Sequence, residues 1–175
     1  MSHSLGDFNG DGRLDLYMTG MGSTTARRLE TMKAGRKDFA GHQAHRMKMG
    51  YGNRLFLGGK DGFAQAPYNH QVARAGWSWG VTGADFDLDG DRDLFIANGA
   101  TLDDPEHGPG SRLYENISTS GRIAFRDITD TSGINLSRWA MGVAAGDYDG
   151  DGFVDLYVNC YGPNVLLQNR GDGTF

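Results

Sequence analysis

One nine-residue acidic pattern occurs three times in the chain, and each copy leads directly into an apolar run. The copies are DFNGDGRLD at 7–15, DFDLDGDRD at 85–93 and DYDGDGFVD at 147–155, here called acidic loops 1, 2 and 3. Each has Asp at position 1, Asp or Asn at 3, Asp at 5, Gly at 6 and Asp at 9. Three matches to a five-point pattern indicate an internal repeat, whereas a single match would be weak.

The repeat extends beyond the acidic loops on both sides. Upstream, WSWGVTGAD (77–85) aligns with WAMGVAAGD (139–147); downstream, NRLFLGG (53–59), SRLYEN (111–116) and NVLLQN (164–169) align. Read in the third unit, GVAAGDY (142–148) and FVDLYV (153–158) are typical of strands. NVLLQN predicts a third strand, and a Gly-containing turn followed by Phe opens a fourth. Each unit is therefore predicted to be a four-stranded antiparallel meander.

Four-stranded units repeating every 60 or so residues are typical of propeller blades. The sequence thus predicts an all-β fold, a partial β-propeller of two blades plus most of a third. The units are expected at about 1–76, 77–138 and 139–175. Since a closed propeller typically takes about 4–8 blades, the chain is expected to be a fragment, with the remaining blades of the parent chain as its neighbours.

Most of the length variation between units falls between strands two and three. In a meander this connection lies at the opposite end from the acidic loops, and loops that tolerate insertion often carry recognition. A protein or glycan ligand is therefore expected on the face opposite the acidic loops. The largest insertion, about 22–50, is predicted to be helical: Ser23 or Thr24 would cap a helix ending at Gly35, and Asp38 a second reaching about Met49.

The acidic loops are candidate Ca²⁺ sites, because Ca²⁺ accepts oxygen ligands on short flexible turns. Mg²⁺ requires stricter geometry, and Zn²⁺ prefers His or Cys. An EF-hand is excluded, since position 12 is Met18, Ile96 or Val158 rather than Glu. Side chains at positions 1, 3, 5 and 9 and the backbone carbonyl at 7 would bind about three structural ions. These residues are Asp7, Asn9, Asp11, Arg13 and Asp15; Asp85, Asp87, Asp89, Asp91 and Asp93; Asp147, Asp149, Asp151, Phe153 and Asp155.

The alternative is a set of Asp-Gly turns that bind no metal. Three equally spaced copies disfavour it, because neighbouring carboxylates repel unless they are paired or protonated. The acidity is also local: the formal net charge is −5, and 12 of the 22 acidic residues lie in the acidic loops. There is no basic stripe for nucleic acid and no apolar run of the roughly 18 residues that a membrane span needs.

Other motifs carry weaker signals. His42 and His45 could share a helix face and bind metal, although a solvated surface is favoured. RGD at 170–172 is read as a hairpin turn, and the sequon NIS at 116–118 as chance. Trp77, Trp79 and Trp139 could form a sugar-stacking platform, but their repetition favours packing between blades. Candidate catalytic residues are few: Asp38, His42, His45, Asp103, Asp104 and His107.

The segments GDFNGDGRLDLY, ADFDLDGDRDLFIANG and GDYDGDGFVDLYVN resemble FG-GAP/VCBS repeats, the units of integrin-α-type β-propellers. GWSWGV and YGPNVLLQNRGDGTF resemble more narrowly the bacterial relatives of cartilage acidic protein, which often carry an ASPIC/UnbV domain. This resemblance implies a calcium-binding, usually exported propeller used for interaction, with ligand roles at positions 1, 3, 5 and 9 of each loop. Leu88 departs from the small or Asn residue common at position 4, and no ASPIC/UnbV segment is present.

The sequence therefore predicts a calcium-binding repeat module of an exported protein, located outside the cell or in the periplasm or cell envelope. It would act as a structural and interaction scaffold without catalysis of its own. The alternative is an accessory or scaffold part of an exported carbohydrate-active or other hydrolytic enzyme whose catalytic residues lie outside this segment.

Overall fold

The computed structural model describes residues 2–20, 22, 24–34, 41, 45–46, 50–66, 70–119 and 122–175. Within them, the strands form three separate antiparallel sheets, each following chain order. Blade 1 contains β1 (His3–Gly6), β2 (Asp15–Met18), β3 (Arg54–Gly59) and β4 (Gly62–Gln65). Blade 2 contains β5 (Ser78–Ala84), β6 (Asp93–Asn98), β7 (Arg112–Asn116) and β8 (Phe125–Asp127). Blade 3 contains β9 (Ala140–Gly146), β10 (Asp155–Cys160) and β11 (Val165–Leu167). The predicted all-β, partial-propeller fold is confirmed.

The same cross-strand pair recurs in every blade, so the three units share one register. Between the second and third strands, Tyr17 faces Leu55, Phe95 faces Leu113 and Tyr157 faces Leu166. The alignment of the three units in the sequence therefore corresponds to a real structural equivalence.

Two hydrophobic clusters lie between neighbouring blades. Tyr17 and Leu55 of blade 1 share a cluster with Leu94 and Ile96 of blade 2. On the other side of β6, Phe95 and Leu113 share a second cluster with Leu156 and Val158 of blade 3. Because successive side chains of a strand point to opposite faces, β6 contributes to both clusters and is buried along its whole length.

The first strands of neighbouring blades approach each other closely. A Cβ atom on Gly80 of β5 would lie 3.0 Å from the Cα of Gly142 in β9. Between blades 1 and 2, the amide of Gly83 donates to the Ser4 hydroxyl at 2.9 Å. Small residues at these positions let the inner edges of the blades meet.

Only part of the predicted helical insertion falls on described residues. There, α1 (Thr24–Thr31) occupies the position of the first predicted helix. It ends before Gly35, because Lys33 adopts a left-handed φ of 50° and the Ala34 amide donates to the Leu29 carbonyl at 2.9 Å. Gly35, Asp38 and His42 lie outside the described residues. A short helix not anticipated from the sequence, α2 (His70–Ala73), precedes β5.

None of the helices in the described part of the chain is both long enough and apolar enough to span a bilayer.

Candidate metal-binding loops

The three acidic loops lie at the same end of their blades, because each joins the first and second strands of a sheet. The connections between second and third strands lie at the other end. This arrangement is the one that the meander predicted.

The carboxylate at position 1 organises the loop around itself. In acidic loop 3, Asp147 accepts hydrogen bonds from the amides of Gly150 at 2.7 Å, Asp151 at 3.1 Å and Gly152 at 2.9 Å. Asp7 of acidic loop 1 is surrounded in the same way: burial raises its pKa, but donation from four backbone amides outweighs this and lowers it. The backbone of acidic loop 1 thus favours the ionised form of Asp7.

Positions 1, 3 and 5 come together as carboxylate triads in two of the loops. In acidic loop 2 and acidic loop 3, one oxygen from each of the three side chains lies within 4.8 Å of the other two. The triads are Asp85, Asp87 and Asp89, and Asp147, Asp149 and Asp151. Burial, and then the charges of its neighbours, raises the pKa of Asp87. These are the predicted oxygen donors, brought to one place.

Acidic loop 1 is less charged than the other two. Its position 3 is Asn9, whose Nδ2 donates to Asp11 Oδ2 at 3.2 Å. Arg13 Nη1 also lies 3.7 Å from the same carboxylate oxygen. Asn9 and Arg13 therefore partly offset the charge of Asp11. A cation would relieve less repulsion here than in acidic loops 2 and 3.

Acidic loop 2 contains a buried carboxylate oxygen without a partner. Asp85 Oδ2 accepts from the Gly90 amide at 3.0 Å, whereas Asp85 Oδ1 is inaccessible to solvent and has no hydrogen-bond donor among the described residues. An orphaned buried oxygen inside an all-oxygen cluster fits a hard cation such as Ca²⁺. Asp85, Asp87 and Asp89 are the residues that would hold it.

The aspartate at position 9 has a structural role that sequence reasoning missed. Asp93 is buried, and its two oxygens accept from the amides of Phe86 at 3.1 Å and Asn116 at 2.8 Å. Asp15 and Asp155 make the equivalent pair of bonds. Position 9 therefore joins the loop to the third strand or, in blade 3, to the residue that lies two positions after it. Burial raises the pKa of Asp93 to about 7 against the opposing effect of these amides, and burial also raises the pKa of Asp15.

Position 7 behaves alike in all three loops. The amides of Arg13, Asp91 and Phe153 each donate to the position 5 carboxylate at 2.9 Å. The predicted ligand roles of the position 7 carbonyls and the position 9 carboxylates stay predictions. The structure places the side chains at positions 1, 3 and 5 together in acidic loops 2 and 3.

Two asparagines connect neighbouring acidic loops, and they too were missed. Asn116 Nδ2 donates to the carbonyls of Phe8 in loop 1 at 3.1 Å and Arg92 in loop 2 at 3.0 Å. Asn169 Nδ2 repeats this between Phe86 at 2.8 Å and Val154 at 3.1 Å. The signal available in the sequence was the shared Asn that ends SRLYEN and NVLLQN. We call this contact the asparagine staple.

Asn116 is also the first residue of the NIS sequon. It is buried, and its amide nitrogen is committed to two carbonyls. Glycosylation of the folded protein at this residue would break the staple, so the interpretation of the sequon as chance is favoured.

An aromatic cluster lies at the opposite end of blades 2 and 3. The Trp139 ring centroid is 6.1 Å from that of Trp77, 5.7 Å from that of Trp79 and 5.9 Å from that of Tyr161. Packing of these tryptophans between blades is thus confirmed. Trp77 is nevertheless 46% exposed and Tyr161 52% exposed. The indole nitrogens of Trp79 and Trp139 are buried without a partner among the described residues.

The remaining sequence candidates do not assemble into a catalytic set in the described part of the chain. His107 Nδ1 lies 2.8 Å from Asp104 Oδ1, and this hydrogen bond raises the pKa of the exposed imidazole. Among the described residues, no hydroxyl or thiol hydrogen-bonds to His107. His45 is exposed, and Asp38 and His42 lie outside the described residues.

The RGD segment forms a turn, as predicted. The Arg170 amide donates to the Thr174 carbonyl at 2.9 Å, and Gly171 adopts a φ of 78°. Asp172 accepts from the Thr174 amide and hydroxyl, which lowers its pKa.

Comparison with known families supports the repeat. Residues 107–158 match the family model described as an FG-GAP-like repeat. The matched segment runs from before β7 through β8, β9 and acidic loop 3 into β10. No curated protein matches the chain. The match indicates a structural or interaction repeat module of a type that is a scaffold rather than a catalyst.

Proposed function

We propose that this chain is a calcium-binding repeat module of an exported protein, and that it serves as a structural and interaction scaffold without catalysis by its own residues. The observation that carries the proposal is the pair of carboxylate triads, each with three side-chain oxygens within 4.8 Å of one another.

Repulsion between the carboxylates of each triad favours a bound cation. Two unit charges about 4 Å apart repel by about 1 kcal/mol in bulk water, and more strongly near a protein surface. Each triad contains three such pairs, and in acidic loop 2 the buried Asp85 Oδ1 gains no hydrogen bond in return. A divalent cation would remove this repulsion and supply the missing partner. Extracellular calcium modules typically bind in the range of about 10⁻⁴–10⁻³ M, so an exported location suits such exposed sites.

The first test is calcium titration of EDTA-treated protein by calorimetry, together with thermal unfolding. Calcium that binds only the folded state stabilises it by about 2.7 kcal/mol at 100 times the dissociation constant. We therefore expect heat of binding at millimolar calcium or below and a higher melting temperature. Absence of both at millimolar calcium would contradict the proposal.

A matched pair of variants separates metal binding from damage to the fold. Asp87→Asn gives acidic loop 2 the Asn that acidic loop 1 has naturally at position 3, so the loop should still form. We expect calcium to bind this variant about tenfold more weakly at one site, with the melting temperature in EDTA unchanged or higher because repulsion is relieved. The control, Asp130→Asn, removes an exposed carboxylate away from the loops and should leave the titration unchanged.

The recognition surface in this proposal is the aromatic cluster at the end opposite the acidic loops. The half-exposed rings of Trp77 and Tyr161 both pack against the partly buried ring of Trp139. Rigid amphipathic rings supply contact area at low cost in conformational entropy, which suits a protein or glycan ligand.

This part of the proposal is tested by titrating the intrinsic tryptophan fluorescence with a panel of neutral and acidic oligosaccharides. A glycan ligand should shift the emission of the native chain, and Trp77→Ala should abolish the shift. Phe63→Ala, which removes an exposed ring of β4, is the control and should retain it. A panel without any response would exclude glycans and leave a protein partner as the candidate.

A further inference from the structure

Blade 3 has one apolar face that the described part of the chain leaves uncovered. Tyr148, Tyr157 and Leu166 are 56%, 47% and 46% exposed. A groove of about 230 Å³ lies between them, floored by Ala144 and Ala145 of β9. We call this surface the open face.

The equivalent residues of the other two blades are buried. Each occupies the same loop position or the same cross-strand pair as its counterpart in the open face. In blade 1 they are covered by blade 2, and in blade 2 by blade 3. Their exposed fractions are 6% or less for Phe8, Tyr17, Leu55, Phe86, Phe95 and Leu113. The open face is therefore the third copy of a surface that is covered twice in this molecule.

Each covering blade also makes one specific polar contact. Asn116, at the end of β7, donates to the Phe8 carbonyl, and Asn169, after β11, donates to the Phe86 carbonyl. The third equivalent acceptor is the Tyr148 carbonyl. Within the described residues, no asparagine side chain donates to it.

Each covering blade brings a phenylalanine as well. Phe125 meets the Phe8 ring edge to face at a centroid distance of 6.4 Å, and Phe175 meets the Phe86 ring in the same way at 5.9 Å. Edge-to-face pairs of this kind add to the energy of burial. The corresponding place beside the Tyr148 ring is the groove of the open face.

We infer that the open face binds a further four-stranded repeat unit that carries Asn at the end of its third strand and Phe at the start of its fourth. The Asn amide would donate to the Tyr148 carbonyl, and the Phe ring would enter the groove beside Tyr148. Alternate residues of its second and third strands would cover Tyr157 and Leu166. The inference rests on packing alone and does not require bound calcium.

A second copy of this chain fits the open face less well. Among the described residues, blades 2 and 3 already cover blades 1 and 2, so a second copy would present blade 1, which has Gly58 where blades 2 and 3 have Asn116 and Asn169. Phe63, exposed on β4, could enter the groove, but Gly58 has no side chain to donate. A Cβ added to Gly58 would also collide with the Leu14 carbonyl of its own blade.

The test uses the full chain and an extension of it. Appending a second copy of residues 126–175 after Phe175 completes a fourth strand for blade 3 and adds a copy of blade 3 with its Asn and Phe. A shorter extension, with residues 126–138 only, completes the strand without adding the blade. A third version carries the long extension with its copied asparagine changed to glycine, as in blade 1.

The readout is nitration of Tyr148 and Tyr157 by tetranitromethane, resolved by mass spectrometry, with exposed Tyr161 at the other end of the blade as the internal standard. We expect the long extension to reduce nitration of Tyr148 and Tyr157 at least fivefold relative to Tyr161. The short extension should give no such protection, and the glycine version should weaken it.

Several outcomes would overturn the inference. One is equal nitration of Tyr148 and Tyr157 with and without the long extension. Another is amide hydrogen exchange in the appended unit that is as fast as in an unfolded chain. A third is an unextended chain that sediments as a dimer with Tyr157 already protected, which would make a second copy the occupant. Because each measurement can be made in EDTA and in calcium, failure here is separate from failure of calcium binding.

Discussion

At the scale of single residues, Leu88 departs most from the repeat. It occupies position 4 of acidic loop 2 with a φ of 63°, where the other loops have Gly10 at 70° and Gly150 at 79°. A left-handed conformation costs a residue with a Cβ roughly 1–2 kcal/mol. The Leu88 side chain is exposed and recovers little of this by packing.

Leu88→Gly should therefore stabilise the protein. Removing the Cβ relieves a backbone strain of roughly 1–2 kcal/mol. This gain exceeds the loss of roughly 0.5–1 kcal/mol that comes from the greater backbone entropy of glycine in the unfolded chain. We expect a net gain of up to about 1 kcal/mol, which raises the melting temperature by a few degrees for a chain of this size. The reciprocal change, Gly150→Ala, should lower it, and since nothing lies within 4 Å of the added Cβ, only the backbone is responsible. A lower melting temperature for Leu88→Gly would contradict this account.

The hydrogen bonds of the aspartates at position 9 could not be predicted from the sequence. The spacing of these aspartates predicted them as metal ligands, but not that both carboxylate oxygens accept hydrogen bonds from backbone amides. One of those amides lies in the third strand, at Gly58 for Asp15 and at Asn116 for Asp93, or just after it, at Asn169 for Asp155. The sequence separation between the partners varies from 14 to 43, so no local pattern encodes the contact. The triads at positions 1, 3 and 5 were predictable because they are local to one turn.

At the scale of elements, strand order and pairing followed from the repeat, whereas strand ends did not. The second strand of each blade begins at the position 9 aspartate, because the preceding residues are held in the acidic loop. Accordingly, β10 begins at Asp155 rather than at residue 153 as predicted. Likewise α1 ends before the predicted position because Lys33 adopts the left-handed conformation. The ends of strands and helices depend on single hydrogen bonds, which the pattern of hydrophobic residues does not encode.

The sequence predicted that tryptophans pack between blades, but not which hydrogen bonds connect the blades. The repetition of Trp77 at Trp139 indicated packing between blades, and the rings do stack. The asparagine staple could not be inferred, because its acceptors lie 83 and 108 residues from its donors. The asparagine side chains and these carbonyls come together only when neighbouring blades pack against each other in the folded protein.

At the scale of the whole molecule, the buried acidic groups make stability depend on pH. Burial raises the pKa of Asp93 to about 7 and also raises the pKa values of Asp15 and Asp87 above 3.8. The native state therefore binds more protons than the unfolded state between about pH 4 and 7. Stability from these groups is fully present below the unfolded pKa and is lost as pH rises toward 7.

In EDTA, the melting temperature should thus fall from pH 5 to pH 7.5 and level off above. The free energy of unfolding should change by at most about 1.4 kcal/mol per pH unit for each proton released. Saturating calcium favours the ionised carboxylates and should flatten this dependence. The carboxyls with lowered pKa values, Asp7 and Asp172, act only below about pH 4 and do not disturb the window. A melting temperature that rises across this range in EDTA would contradict the assignment.

The asparagine staple also determines how far a local disturbance spreads. Asn116 holds the second loop through Arg92 and the first loop through Phe8, and Asn169 holds the third through Val154 and the second through Phe86. The three acidic turns are thereby links in one continuous series of hydrogen bonds. A force applied to one acidic loop is therefore transmitted through these hydrogen bonds to the neighbouring acidic loop, so no loop bears it alone.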